Sequence, residues 1–397
     1  MNSEKRLNII NVSFGTYPIP NTMSGGGFFL CNLSEELSKI PGCTAGIIDI
    51  KSDIHKDIRA GYRFYEVPNI KLKSGGLAAH ALNAVIYAVF ASIKALLIDI
   101  KNKIDILHLH NQFAAAFSYI LKILFFRKYR IVYTVHSVAL GAKGFFFAIR
   151  SPLEKFVLKA ADHLVAITPT VKKWLIERHS IPESRITQIY LGTETGKIEE
   201  FAKNHPRQNR YNSQRVIIYV SRIAVRKNQL SLVKAMKGIT DRFPDAKCVF
   251  VGPVEDDKYL GSIIKYINDN GLDNSVIFAG EVERAELYQL YANSDISVIT
   301  SKLETQGLML IESMAFGLPV ITSDIGPFKD IININPGAAL LVGPDDPVKI
   351  AGAAIKLFSD PGLCDKMRSE GRKLVSEFSW DRIAGKTYDM YKKLVES

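Results

Sequence analysis

The sequence predicts an α/β protein with two Rossmann-like domains, each a doubly wound parallel sheet. Strand patterns alternate with helical patterns along the chain, and the alternation occurs in two series of the same construction. Between the series, residues 196–214 are polar, charged and poor in aliphatic side chains, as expected of a linker. With 397 residues, 47% hydrophobic and 23% charged, the chain has the size and composition of a soluble protein of two or three domains.

Short apolar runs bounded by turn residues give the predicted strands. In the first series they are Leu7–Val12, Ala45–Ile50, Ile104–Leu109, Arg130–Val135, His163–Ile167 and Ile186–Tyr190. In the second series they are Val216–Val220, Lys247–Val251, Val276–Phe278, Asp295–Ile299, Pro319–Thr322 and Ala339–Val342. The predicted domains are therefore residues 1–195 and 215–379, joined by the linker 196–214.

Cysteine usage and the apolar segments favour a cytoplasmic setting. The four cysteines are far apart and show neither zinc-ligand nor disulfide spacing. The first apolar run, Leu7–Val12, is too short for a signal peptide. Polar residues interrupt the most hydrophobic stretch, residues 77–98, so we do not expect a transmembrane helix.

Two glutamates, Glu304 and Glu312, lie between two predicted strands, and a helix is predicted from Gly307 to Phe316 with Gly317 as its stop. Glu304 then precedes a helix N-terminus at the carboxyl ends of strands, where backbone amides bind anions. A helix through both residues would separate them by roughly 12 Å, beyond the spacing of about 5 to 9.5 Å in glycosidase pairs. We predict that they grip two parts of one elongated ligand, with a phosphate at the intervening amides. The alternative is that both are ordinary helix-start and helix-surface residues.

Two basic residues, Arg222 and Lys227, follow the predicted strand Val216–Val220. Both would emerge at the carboxyl end of that strand, where a guanidinium and an ammonium can neutralise a diphosphate. The alternative is surface charge at the start of a helix.

A glycine-rich stretch containing Gly25, Gly26 and Gly27 precedes a helical pattern that runs through Ile40. Such a loop lets backbone amides approach a phosphate closely. It matches neither a dinucleotide-binding nor a Walker sequence, and a flexible turn is the alternative.

Three histidines lie at the ends of neighbouring predicted strands. His136 ends the strand Ile131–Val135 and is our candidate hydrogen-bond donor to a substrate hydroxyl or carbonyl, while His108 and His110 share one face of another strand end. Three histidines could also ligate zinc, but no acidic or cysteine partner has ligand spacing, and we predict no metal site.

The net charge of +11 is concentrated in the first half: residues 1–195 hold 24 Lys and Arg against 14 Asp and Glu, and the remainder 27 against 26. Basic and aromatic residues interleave in Phe117–Arg130 and Lys143–Arg150. Such stretches suit an anionic membrane surface; a core helix with a solvated basic end is the alternative. No recognised nucleic-acid-binding module is present, so no nucleic-acid partner is expected.

In this order, these pieces resemble the retaining GT-B glycosyltransferases called glycosyl transferases group 1, which include bacterial glycogen synthases and phosphatidylinositol mannosyltransferases. The resemblance covers nearly the whole chain. Its most specific mark is the two-glutamate motif followed by Ala315-Phe316-Gly317-Leu318-Pro319-Val320, supported by the basic pair, the glycine loop and His136. Ser379–Ala384 resembles the start of the family's final helix, so residues 380–397 are expected to complete the first domain.

The resemblance implies roles for these residues. Glu312 would hold the ribose hydroxyls of a nucleotide sugar, Glu304 would contact the transferred sugar, and Arg222 with Lys227 would bind the diphosphate. The remaining donor-site residues would be Thr305, Gln306, Gly307 and Leu308, the last three through backbone amides, and, from the opposite domain, His136, Gly25, Gly26 and Gly27. The sequence departs from the family pattern at Gly192-Thr193-Glu194, where asparagine, glycine and aspartate are typical, and at Ile299-Thr300-Ser301, where a proline and serine are common.

The implied reaction moves a hexose-type sugar from a UDP- or GDP-linked donor to a hydroxyl acceptor with retention of configuration, and requires no metal or other cofactor. The basic first domain favours a sugar, lipid-linked or polysaccharide acceptor in surface polysaccharide or glycolipid assembly, with the enzyme peripheral at the inner face of the membrane. An epimerase or phosphorylase on the same architecture, or a non-catalytic nucleotide-sugar-binding protein, are the alternatives. A dehydrogenase is disfavoured because no GxGxxG motif with a suitably placed acidic residue follows the first strand.

Overall fold

The structure, a computed structural model, describes residues 6–15, 25–52, 61–70, 77–136, 145–205, 208 and 215–397. The chain forms two compact units. The first consists of Met1–Gly192 with Trp380–Ser397, and the second of Thr193–Ser379.

The first unit is a parallel sheet with helices packed on it. In its described part the strands are Leu7–Val12 (β1), Cys43–Ile50 (β2), Arg63–Val67 (β3), Ile106–Leu109 (β4), Arg130–Val135 (β5), His163–Ala166 (β6) and Ile186–Gln188 (β7), in the order β3-β2-β1-β4-β5-β6-β7. The helices are Gly25–Lys39 (α1), Leu77–Asn102 (α2), Gln112–Leu124 (α3), Phe145–Ala160 (α4) and Pro169–His179 (α5). The strand order reverses between the adjacent strands β1 and β4, and the carboxyl edge at such a reversal is where α/β sheets bind ligands.

The second unit repeats this plan. Its described strands are Val216–Val220 (β8), Lys247–Val251 (β9), Val276–Gly280 (β10), Ile296–Ile299 (β11), Val320–Ser323 (β12) and Ala339–Val342 (β13), in the order β10-β9-β8-β11-β12-β13. Its helices are Thr195–Asn204 (α6), Gln229–Arg242 (α7), Asp257–Asp269 (α8), Arg284–Ala292 (α9), Leu308–Ala315 (α10), Gly326–Ile332 (α11), Pro347–Ser359 (α12) and Pro361–Val375 (α13). Here the order reverses between β8 and β11.

The last helix, Trp380–Glu396 (α14), belongs to the first unit and packs on α1. The Trp380 and Phe29 rings are 5.5 Å apart. Gly192 allows close approach of this indole, since a Cβ there would lie 2.7 Å from the ring. At the other end of α14, the fully buried Tyr391 reaches His108.

The predicted fold class is confirmed, and the predicted strands agree with the observed ones within two residues at each end, with one omission. Strand β3, Arg63–Val67, was not predicted because it is an edge strand, mostly half-exposed, and lacks an apolar run. Helix α10 starts and ends one residue inside the predicted Gly307–Phe316.

The predicted linker 196–214 needs correction. Its first part lies in helix α6, and the second unit begins at Thr193 rather than at residue 215. One aliphatic side chain, Ile198, is fully buried, and the Phe201 ring stacks on His205 at 3.9 Å. These few apolar contacts were too sparse in the sequence to show a helical face.

One described helix, α2, has a segment, Leu82–Asn102, that is long and apolar enough to cross a membrane by length and composition alone. Its most apolar window is 44% buried, and one face, with Tyr87, Ala91 and Ala95, lies in the hydrophobic core of the first unit. A helix packed in the core of a protein can have the same length and apolar composition, and we therefore interpret α2 as a helix that covers the sheet.

Candidate active site

The clearest polar cluster of the second unit lies where its strand order reverses. Lys227 follows β8 and Glu304 follows the adjacent strand β11. The Lys227 Nζ atom is 2.5 Å from Glu304 Oε1, and each side chain is only 10% exposed. An ammonium and a carboxylate are therefore paired at the carboxyl edge of the sheet.

Buried hydroxyl groups fix the loop that carries Lys227. The Tyr219 hydroxyl donates to the carbonyl of Lys227 at 2.5 Å and lies 2.9 Å from Ser301 Oγ. Thr300 Oγ1 donates to the carbonyl of Asn228, which has a left-handed backbone with φ of 56°. The loops after β8 and β11 are thus bonded to each other, which sets the position of the ion pair.

Arg222, predicted to act beside Lys227, lies next to a different acid. Its side chain is 55% exposed, and its Nη1 is 3.9 Å from Glu255 Oε2. Glu255 is bound by both terminal nitrogens of Arg226, and this hydrogen-bonded pair lowers the pKa of the Glu255 carboxyl. The structure therefore brings Lys227 to Glu304 and leaves Arg222 largely solvent-exposed. No motif in the sequence indicated Glu255.

The N-terminus of α10 lies directly after Glu304. Gly307 has φ of +80°, and a Cβ there would lie 2.3 Å from the Phe328 ring, so only glycine fits. Gln306 is buried, whereas Thr305 and Leu308 are partly exposed. The first amides of a helix have no intrahelical acceptor, so this turn offers donors to an anion beside Lys227.

Glu312, the fifth residue of α10, has a cation of its own. Its Oε1 is 3.2 Å from Arg284 Nη1, and its Oε2 is 3.5 Å from the Tyr291 hydroxyl. Burial raises the pKa of the Glu312 carboxyl, and Arg284 counteracts part of that rise. The side chain is 14% exposed and remains an acceptor at the surface of the unit.

Arg284 joins Glu312 to Glu194. Its Nη2 is 3.5 Å from Glu194 Oε2, and its Nε donates to the Tyr288 hydroxyl at 3.1 Å. Burial would lower the pKa of Arg284, but Glu312, Tyr288 and Glu194 together raise it. Sequence reasoning missed Arg284, which stands at the start of a helix without a motif, and noted Glu194 only as a departure from the family pattern.

The three predicted histidines of the first unit lie next to one another, with His108 and His110 buried and His136 partly buried. His110 Nδ1 is 2.8 Å from His136 Nε2, and His108 lies 2.6 Å from Thr134 Oγ1 and 2.5 Å from the Tyr391 hydroxyl. Burial lowers the pKa of His108 and of His136 to about 3, and that of His110 well below its usual value. The imidazoles are therefore neutral near neutral pH, and His110 occupies one ring nitrogen of His136.

The glycines of the predicted phosphate loop lie in the first turn of α1, which begins at Gly25. Residues 21–24 of that loop lie outside the described residues. Among the side chains that the structure describes, no group of three or more His, Cys, Asp or Glu residues has an arrangement that could hold a metal ion.

Two family models match the chain in succession. The model of Glycosyltransferase Family 4 matches residues 24–197, and that of Glycosyl transferases group 1 matches residues 200–374. The chain belongs to the group 1 family of GT-B glycosyltransferases. In this glycosyltransferase the first match ends at residue 197 and the second begins at residue 200, close to Thr193, where the second unit begins.

Similar proteins agree with this assignment. An uncharacterized glycosyltransferase of Methanocaldococcus jannaschii, MJ1607, is 27% identical over 309 residues, which are 74% of this chain and 77% of that protein. A glycosyltransferase structure from Rickettsia africae has a TM-score of 0.77 at 23% identity, covering 99% of this chain and all of that one. Anabaena HepE in complex with UDP-glucose has a TM-score of 0.72 at 16% identity, covering 98% of this glycosyltransferase and all of HepE.

Proposed function

We propose that this glycosyltransferase moves a hexose-type sugar from a nucleotide diphosphate sugar to a hydroxyl acceptor, with retention of configuration and without a metal ion. The observation that carries the proposal is the Lys227–Glu304 pair beside the N-terminus of α10. A cation, a carboxylate and the N-terminus of a helix then occur together at the carboxyl edge of the sheet. The complex of HepE with UDP-glucose supports the donor class.

The charges suit departure of a diphosphate. Cleavage of the bond between sugar and diphosphate places negative charge on a phosphate oxygen, so a fixed ammonium and helix amides would stabilise the transition state. The donor diphosphate would compete with Glu304 for Lys227, which frees the carboxylate to accept hydrogen bonds from the transferred sugar. Arg222, with its exposed guanidinium, would add a second cation.

Glu312 suits a ribose. An ionised carboxylate accepts hydrogen bonds through both oxygens and can bind two neighbouring hydroxyls. Because burial raises the pKa of Glu312, the adjacent Arg284 favours the ionised form that such binding needs. His136, Gly25, Gly26 and Gly27 lie in the first unit, and their contacts with the donor stay predictions.

The acceptor is proposed from charge alone. The excess of basic residues in the first half favours an acceptor for surface polysaccharide or glycolipid assembly. The acceptor's hydroxyl proton would pass to the departing diphosphate, as in the family.

A thermal-shift panel of UDP, GDP and ADP sugars, with and without a chelator, tests the donor site. We expect one nucleotide class to raise the melting temperature, with no effect of chelator and no shift in Glu312→Ala. Glu281→Ala, an exposed carboxylate of the same unit, is the control. The absence of any shift in the wild type would contradict the proposal.

Turnover assays distinguish a transferase from an epimerase. Release of nucleoside diphosphate that depends on an added acceptor is expected of a transferase, whereas an epimerase would convert the donor without acceptor. The anomeric configuration of the product, measured by NMR, tests retention; an inverted product would refute that part.

A further inference from the structure

The amino edge of the first unit's sheet carries basic and apolar side chains that the donor site does not use. Helix α3 begins after the carboxyl end of β4 and ends near the start of β5, so its last turn lies at the opposite edge from a ligand bound at the strands' carboxyl ends. We call this region, with Lys103, Ile123, Leu124, Phe125, Phe126 and Lys128, the amino-edge surface.

Phe126 is the most informative residue of this surface. Its side chain is 90% exposed, and its backbone is left-handed with φ of 50°. The Phe126 amide donates to the carbonyl of Ile123 and the Arg127 amide to that of Lys122, which is the hydrogen-bond pattern of a helix C-terminus that normally carries glycine. A bulky aromatic residue there adds backbone strain and exposes a large apolar ring to water. Neither property stabilises the folded chain.

The apolar tip extends beyond one residue. Ile123, Leu124 and Phe125 are each more than half exposed. Because the Phe126 ring is almost fully exposed, it is free to insert into a soft medium. Exposed apolar surface of this size marks an interaction site.

Cations surround the tip. A cavity of about 740 Å³ beside Phe126 is lined by the basic residues Lys103, Lys122, Arg127, Lys128 and Arg130 and by the acidic residues Asp99 and Asp105. Lys122 pairs with Asp162, and Arg127 with Asp99. Within the described ranges Lys103, Lys128 and Arg130 form no ion pair with an acidic side chain, which leaves a positive field around the apolar tip.

We propose that the amino-edge surface binds an anionic lipid bilayer, with Phe125 and Phe126 inserted among the lipids and Lys103 and Lys128 against the phosphates. Aromatic rings flanked by basic residues suit the boundary between headgroups and acyl chains, where apolar burial and attraction to anionic lipid act together. Positive charge next to an exposed apolar tip favours an anionic bilayer over a protein partner. The proposal is independent of the donor assignment.

Co-sedimentation of the full chain with phosphatidylcholine vesicles, with and without phosphatidylglycerol, tests it. We expect binding only to the anionic vesicles, and weaker binding at high salt because the surface charges are screened. Phe126→Gly should lower the partition coefficient about tenfold or more, and also raise the melting temperature, because glycine relieves the left-handed strain. Lys128→Glu should lower the partition coefficient at least about fivefold.

Matched controls come from the second unit. Val348→Ser removes an apolar side chain that is 82% exposed on α12, and Lys237→Glu reverses an exposed charge on α7. Neither should change vesicle binding. The proposal would be overturned by equal binding to neutral and anionic vesicles, by no binding to either, or by unchanged binding of Phe126→Gly. It would also be overturned if the wild type did not bind vesicles and Phe126→Gly instead lost a dimer.

Discussion

The Arg284 guanidinium lies 3.2 Å from the Glu312 carboxylate, which we propose to be the ribose ligand. Replacing Arg284 by Gln leaves Glu312 and Glu194 without their shared cation and should destabilise the second unit by about 2 to 4 kcal/mol. Without Arg284, the rise that burial causes in the pKa of Glu312 is no longer counteracted, and the carboxyl is less readily ionised. We therefore also expect the donor KM to rise about tenfold or more, with a smaller change in kcat. Steady-state kinetics and thermal melts measure both effects.

Arg215 provides the matched control for this change. It also pairs with a carboxylate, Asp245 at 3.1 Å, and lies over an aromatic ring, that of Phe243. Arg215→Gln should leave the donor KM unchanged. Partial recovery of KM in Arg284→Lys would support a charge effect, whereas equal KM in wild type and Arg284→Gln would remove Arg284 from donor binding.

The Lys227–Glu304 pair allows stability and catalysis to be separated. Lys227→Met should lower turnover about 10²-fold or more, since it removes a fixed cation from the leaving group. It should also destabilise the second unit, because Glu304 loses its buried partner. In the double variant Lys227→Met/Glu304→Gln, the melting temperature should recover while turnover stays low.

Arg222→Ala, at an exposed position, should lower turnover about 10²-fold or more without a change in melting temperature. Near wild-type turnover for both Lys227→Met and Arg222→Ala would exclude these residues from the mechanism.

Gly307 tests the fit of the loop before α10. Gly307→Ala adds both a left-handed strain and a clash with Phe328, whereas Gly271→Ala, at φ of +64°, adds only the strain because nothing lies within 4 Å of the new Cβ. We expect Gly271→Ala to cost about 1 kcal/mol, and Gly307→Ala several-fold more with a large loss of donor binding. Equal melting temperatures for the two variants would contradict the steric argument.

The buried histidines predict acid sensitivity of the first unit. His108 and His136 have pKa values of about 3 in the folded chain, against about 6.5 when unfolded. The unfolded chain therefore binds more protons between these values, so the stability is fully present above about pH 6.5 and falls by about 1.4 kcal/mol per pH unit and histidine below it. Denaturant unfolding of His108→Gln should show a smaller pH slope; an unchanged slope would count against a neutral buried His108.

The sequence was a good guide where the pattern is local. Buried strands such as Val216–Val220 are apolar throughout, and Gly317 marks a helix end through its left-handed backbone, which few other residues adopt. Turn chemistry and strand ends therefore placed Lys227 and Glu304 at one edge of one sheet. The edge strand β3 and the helix α6 were missed because their burial depends on neighbours that are distant in sequence.

Side-chain partners were the part that the sequence did not reveal. Nothing near Arg284 in the chain indicates that it reaches both Glu312 and Glu194, since long-range ion pairs leave no periodicity. For the same reason the sequence did not indicate that Arg222 lies beside Glu255.

Asp99 connects two segments of the amino-edge surface. Its side chain accepts from the Ile104 amide at 2.8 Å and from Arg127, so a single carboxylate joins the ends of α2 and α3. A bilayer bound there would meet a fixed platform, and the 13 residues of α3 span about 20 Å between that platform and the opposite edge of the sheet. The helix would act as a spacer between the bilayer and that edge. An acceptor anchored in the same bilayer would then have to extend about 20 Å above the phosphates. This distance favours a lipid that already carries a glycan over a lipid whose reactive hydroxyl lies at the membrane surface.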